Sequence, residues 1–99
     1  MRILFLGDVV GISGSSKIKE NLLSQLKINK IDFVIVNAEN ADETGVGLTK
    51  EICEDFFKCG VNVITTGNHV WDQKEIMNFI DNENRLLRPK NLFEPAPGK

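Results

Sequence analysis

The stretch TTGNHVWD, residues 65–72, decides how the rest of the chain is interpreted. An apolar run at residues 61–64 leads into it and a helical pattern follows it, which predicts Asn68 and His69 at the tip of a strand-to-helix loop. Open α/β sheets place their ligand sites in such loops. Asn68 offers a neutral oxygen, His69 offers a nitrogen or a proton, and Gly67 lets the backbone approach closely. This loop is therefore the first candidate for a functional site.

Two earlier apolar runs end in comparable polar loops. Residues 3–6 (ILFL) are followed by Asp8, and residues 33–36 (FVIV) are followed by Glu39 and Asn40. Continuous apolar runs of this length are typical of strands buried on both faces of a parallel sheet. Because parallel strands end at one edge of a sheet, we expect the three polar loops to converge there.

The segments between these strands have helical spacing. The first predicted helix has Ser15 or Ser16 as its N-cap and ends at Asn29, and the second has Thr49 as its N-cap and ends before Gly60. A third helix is predicted after residue 72, and residues 86–88 are predicted to start a fourth strand. The fold class is therefore α/β, with a parallel β-α-β-α-β-α order. Three helices barely cover both faces of such a sheet, so residues 1–99 are predicted to be the N-terminal portion of a single, longer domain.

Composition excludes several functional classes. The formal net charge is -2 and 26% of the residues are charged, so there is no strong signature of nucleic-acid binding. No apolar run approaches the roughly 20 residues that a membrane span needs. Cys53 and Cys59 lie six residues apart on a predicted helix, which favours free thiols in a reducing compartment. These features predict a cytoplasmic protein without a membrane partner.

The polar residues after the strands suit a hard cation. Carboxylate and amide oxygens are ligands for Mg, Mn or Fe, and one carboxylate can bridge two ions roughly 3.5–4 Å apart. The candidate ligands are Asp8, Glu39, Asn40 and Asn68. The glycines at positions 7, 11 and 14 match neither a dinucleotide fingerprint nor a P-loop.

Taken singly, each of these residues also has a structural explanation. Asp8 could cap a helix or a turn, residues 39–40 could form a solvated loop, and His69 could be a surface residue or a hydrogen-bond anchor. Trp71 is interpreted as a packing anchor. Three acidic residues are interpreted as a solvated loop and a helix cap: Asp42, Glu43 and Asp72. The placement of the candidates after three successive strands is what favours a site.

Three segments resemble motifs of the calcineurin-like metallophosphoesterases, and most closely those of the YmdB-like branch. They are GDVVG at residues 7–11, NAEN at residues 37–40 and TGNHVWD at residues 66–72. The resemblance extends over essentially the whole chain. It implies that the fold is one half of a metallophosphoesterase-type α/β sandwich.

The resemblance also implies a role for each residue. Asp8 and Asn40 would bind a first divalent ion, Glu39 would bridge, and Asn68 would bind the second ion, with Fe or Mn favoured and Mg or Zn as alternatives. His69 would donate a proton to the leaving oxygen. The implied substrates are small phosphodiesters, namely 2′,3′-cyclic nucleotides, attacked by water that the two ions activate. A homo-oligomer is left open.

One departure from the family pattern leaves alternatives open. Full-length members complete the site with three further histidines, whereas His69 is the only histidine here. The chain is therefore either a piece of a normal enzyme or a truncated product, and the 99 residues alone are expected to be inactive. A non-catalytic α/β module that binds an anion or a partner, and a 5′-nucleotidase-type monoesterase, are the alternative functions.

Overall fold

The computed structural model describes residues 1–99 and contains one parallel sheet with four strands. The strands are β1 (Ile3–Leu6), β2 (Phe33–Asn37), β3 (Val63–Thr65) and β4 (Leu86–Leu87). Their order in the sheet is their order in the chain, and every neighbouring pair is parallel. The predicted α/β class with a parallel sheet is confirmed.

Two helices connect the first three strands, α1 (Gly11–Ile28) and α2 (Lys50–Lys58). The predicted ends of α2 agree with the structure: the Thr49 hydroxyl accepts a hydrogen bond from the Ile52 N–H, and Gly60 follows with a φ of 106°. Asn29 ends α1 as predicted. The predicted cap of α1 at Ser15 or Ser16 is wrong, because α1 begins at Gly11 and Ser15 lies inside it.

The third connection differs from the predicted helix. It forms two short 3₁₀ turns, Lys74–Asn78 and Ile80–Asn82, which still bury Ile76 and Ile80. Asp72, predicted as a helix cap, contacts His69 instead, and the Glu75 carboxylate accepts the Lys50 N–H. Without that cap the segment forms short 3₁₀ turns in place of a helix, and Ile76 and Ile80 reach the core from these turns.

A single hydrophobic core lies on one face of the sheet. Residues of both helices and both 3₁₀ turns belong to one buried cluster with four strand residues that are at most 1% exposed: Val34, Val36, Ile64 and Leu86. Cys53 belongs to this core, and its burial, with a smaller effect of Glu83, raises the pKa of its thiol to about 12. Cys53 and the half-buried Cys59 are both free, as predicted.

The opposite face of the sheet is open. Ile3 is 58% and Phe5 is 61% exposed, so the prediction that β1 is buried on both faces is wrong. The reason is that the buried core, which includes the buried helix residues, lies on the other face of the sheet. Neither helix is long and apolar enough to cross a membrane.

Candidate functional site

The loops that follow β1 and β2 are joined at the backbone. Val10 and Asn40 form an isolated parallel bridge, and the Gly11 N–H donates to the Asn40 carbonyl oxygen at 2.9 Å. Asp8 lies two residues before this bridge and is exposed at the end of β1. The parallel register of the sheet thus brings the Asp8 loop and the Glu39–Asn40 loop to one edge.

Glu39 joins the second loop to the third. Its Oε2 accepts the backbone N–H of His69 at 2.9 Å. A side chain at Gly67 would overlap both carboxylate oxygens of Glu39, so the carboxylate lies directly against the loop backbone. A Cβ at position 67 would therefore force the Glu39 carboxylate to shift.

His69 is oriented by Asp72. The His69 Nδ1 lies 2.6 Å from the Asp72 Oδ2, within a turn in which the Asp72 N–H also donates to the His69 carbonyl. Because the carboxylate accepts a hydrogen bond from the Nδ1–H group, the other ring nitrogen, Nε2, is left for chemistry. Asp72 was interpreted from the sequence as a helix cap, and that interpretation is wrong. The three-residue spacing of His69 and Asp72 in the sequence is compatible with a contact, but it produces one only where the backbone forms a turn between them.

The remaining candidates provide oxygen atoms. Asn68 is exposed at the tip of the third loop, as predicted, and the Asn40 Oδ1 is buried with no hydrogen-bond partner. A buried amide oxygen without a donor is costly unless a cation or a donor satisfies it. Both this oxygen and the Glu39 carboxylate fit a hard divalent cation.

Acidic and imidazole side chains alone do not form a metal site in this chain. No group of three or more His, Cys, Asp and Glu side chains is arranged to hold an ion. The predicted set contains only two carboxylates, Asp8 and Glu39. A metal centre at this edge would therefore depend on the amide oxygens of Asn40 and Asn68.

The sequence-based interpretation is wrong for Asp42 and agrees with the structure for Trp71, two further residues near the site. Asp42, interpreted as solvated, is only 8% exposed, because its carboxylate accepts hydrogen bonds from Thr44 and Gln73. Trp71 packs against the hydrophobic core, which agrees with its interpretation as an anchor. Asp42 could not have been recognised as buried, because Gln73 lies 31 residues away in the sequence.

The family model for YmdB-like proteins matches residues 4–99, which include all three loops described above. The chain belongs to the YmdB-like family. This confirms the resemblance inferred from the residues at the three strand ends.

Individual relatives of this YmdB-like chain agree. It is 48% identical over 99 residues to the 2′,3′-cyclic-nucleotide 2′-phosphodiesterase of Bacillus subtilis, covering 100% of this chain and 37% of that protein. A crystal structure of a hypothetical protein from Thermus thermophilus superposes with a TM-score of 0.90 at 35% identity, over 100% of this chain and 38% of the other. A crystal structure of a novel phosphatase from Mycoplasma pneumoniae gives 0.84 at 44% identity, over 92% and 32%. The chain spans about a third of the length of these relatives.

Proposed function

We propose that this chain contributes to a metal-dependent phosphodiesterase that hydrolyses 2′,3′-cyclic nucleotides. The observation that carries the proposal is the connected arrangement of Glu39, His69 and Asp72 at the edge where three strands end. The similarity to a Bacillus subtilis enzyme named for this activity supports the substrate class. Because the chain spans only a third of that enzyme, the activity is proposed for the full-length gene product.

Four residues would hold the metal ions in this proposal. Asp8 and Asn40 would bind one ion, Asn68 the other, and Glu39 would bridge them. When bound, two divalent ions supply Lewis-acid activation of a water and neutralise charge that develops on phosphorus-bound oxygens. The ligands available here are compatible with Fe or Mn, with Mg or Zn as alternatives.

His69 has a separate role, the transfer of a proton. Asp72 fixes the ring through Nδ1, so the proton on Nε2 of the imidazolium can pass to the departing ribose oxygen. The Asp72 carboxylate also compensates the positive charge of the protonated ring. The Glu39 carboxylate holds the His69 backbone, which places the acid next to the oxygen ligands.

Variants of the full-length gene product test this assignment. We expect H69A to lower kcat on 2′,3′-cyclic AMP by about 10²–10⁴-fold, since that is the usual contribution of a positioned acid. D72N should also lower kcat, because the imidazole ring of His69 loses the carboxylate that orients it. Metal content measured by plasma mass spectrometry should stay unchanged in both variants.

D55N is the matched control, because the Asp55 carboxylate makes only a surface ion pair with Lys19 at 3.6 Å. Loss of metal in parallel with rate in H69A would show instead that His69 is a ligand. A full-length product without stoichiometric metal, in which D8A changes nothing, would favour the non-catalytic binding module. Faster hydrolysis of 5′-AMP than of the cyclic diester would favour the monoesterase.

A further inference from the structure

The loop at residues 41–48 lies between the metal-ligand candidates and the histidine turn, and one side chain holds it there. The Gln73 Nε2 amide donates toward three oxygens of that loop: Asp42 Oδ2 at 3.1 Å, Thr44 Oγ1 at 3.2 Å and the Val46 carbonyl at 3.1 Å. Gln73 follows Asp72 directly in the chain. The same amide group therefore connects the turn of His69 to the loop that follows Asn40.

The loop is closed on itself around the Asp42 carboxylate. Asp42 Oδ2 accepts the Thr44 N–H at 3.0 Å and the Thr44 hydroxyl at 2.7 Å, in addition to Gln73. The Asp42 N–H donates to the Gly47 carbonyl at 3.0 Å. Because Asp42 is only 8% exposed, its carboxylate takes its hydrogen bonds from these protein donors.

Contacts continue from this loop to Glu39. The Gly47 N–H donates to the Glu39 carbonyl at 2.6 Å. Gly47 has a φ of 84°, and a side chain there would collide with Gln73. Displacement of Gln73 would therefore move residues 46–47, and these residues support the backbone of Glu39.

We propose that Gln73 is a positioning residue that fixes the Glu39 loop against the His69–Asp72 turn. Its role depends on the amide being a hydrogen-bond donor, because each of the three oxygens accepts from it. Its contribution to catalysis rests on the proposed function, whereas its contribution to loop order does not. Gln73 contacts neither the predicted ligands nor the histidine ring, so it acts through the loop.

A charge-swapped pair of variants in the full-length gene product tests the contact. Q73E places a second carboxylate against Asp42 and removes the donor to Val46, whereas D42N/Q73E restores one donor and one acceptor in exchanged positions. We expect Q73E to raise amide hydrogen exchange of residues 41–48 about tenfold or more, and D42N/Q73E to recover part of that change, because the contact between positions 42 and 73 is restored while the Val46 carbonyl still lacks its donor. The matched control is Q25E, because Gln25 lies exposed near the end of α1.

Metal binding and rate give the second readout. The Mn²⁺ concentration that gives half-maximal thermal stabilisation should rise about tenfold in Q73E, kcat should fall, and both should recover in part in the double variant. Exchange in Q73E that equals exchange in Q25E would overturn the positioning role. A wild-type product that binds no metal and hydrolyses no cyclic nucleotide would instead refute the proposed function, and the exchange measurements would still decide the role of Gln73 in the loop.

Discussion

At the scale of single residues, Glu39 combines two functions that are usually separate. Its carboxylate accepts the His69 N–H and is also the proposed bridging ligand, so one side chain sets the distance between the oxygen donors and the acid. In this arrangement the carboxylate occupies the space of a side chain at position 67, so a Cβ there would overlap it. The geometry of the site therefore depends on a glycine that takes no part in the chemistry.

The first prediction concerns this glycine. G67A should weaken metal binding of the full-length product about 10–100-fold, because the new methyl group displaces the Glu39 carboxylate, and supporting residues have effects of this size. Calorimetric titration with Mn²⁺ measures the change. G14A is the control, since the atoms nearest to a Cβ at position 14 belong to Val9 and lie 3.2 Å or more away. Unchanged metal affinity in G67A would show that the carboxylate can move without loss.

At the scale of elements, a buried hydroxyl group of α1 forms a hydrogen bond with the loop that follows β2. The Ser15 Oγ donates to the Ala41 carbonyl at 2.9 Å, and Ser15 is 5% exposed. This contact explains why Ser15 lies within the helix and not at its start. The helix instead begins at Gly11, whose N–H donates to the Asn40 carbonyl.

The second prediction tests that hydrogen bond. S15A should lower the free energy of unfolding by about 1 kcal/mol, because the buried Ala41 carbonyl loses its hydroxyl donor. S13A is a matched control in the same helix at an exposed position, and its effect should stay within about 0.5 kcal/mol. Urea denaturation followed by circular dichroism measures both. Equal stabilities of the two variants would contradict a stabilising role of the Ser15 hydroxyl.

The elements also show which parts of the structure the sequence could predict. The strands, α2 and its Thr49 cap follow from local pattern, and they agree with the structure to within two residues. The start of α1 and the burial of Asp42 could not be predicted, because their partners Asn40 and Gln73 lie about 30 positions away in the chain. For the site, the sequence predicted that the three loops meet at one edge but not the contact between Asp72 and His69, which depends on the shape of the turn. The catalytic role of His69 stays a prediction. The metal-binding roles stay a prediction.

At the scale of the whole molecule, the chain presents one covered and one open sheet face. The open face is apolar, with Ile3 and Phe5 exposed and several neighbours half-buried: Phe33, Ile35, Val63 and Leu87. A contiguous apolar face of this kind usually marks an interface. We expect this face to be covered by other protein surface in the full-length gene product.

The third prediction tests that covering. F5K should destabilise the full-length product by about 3 kcal/mol or more, because a charge would enter a buried apolar interface in place of a ring. L23K alters a side chain on α1 that is 55% exposed, and its effect should stay within about 0.5 kcal/mol. Thermal and urea unfolding compare the two. An F5K variant as stable as L23K would show that the face remains in water.

The strand order has a consequence for how the molecule assembles during translation. Each strand pairs with the one synthesised before it: β2 with β1, β3 with β2, and β4 with β3. A ribosome that releases the chain from its N-terminus therefore delivers every new strand to a partner that has already emerged. The sheet can grow outward in the direction of synthesis, and only β1 has to wait for its first neighbour, because β2, β3 and β4 each meet a strand that has already emerged.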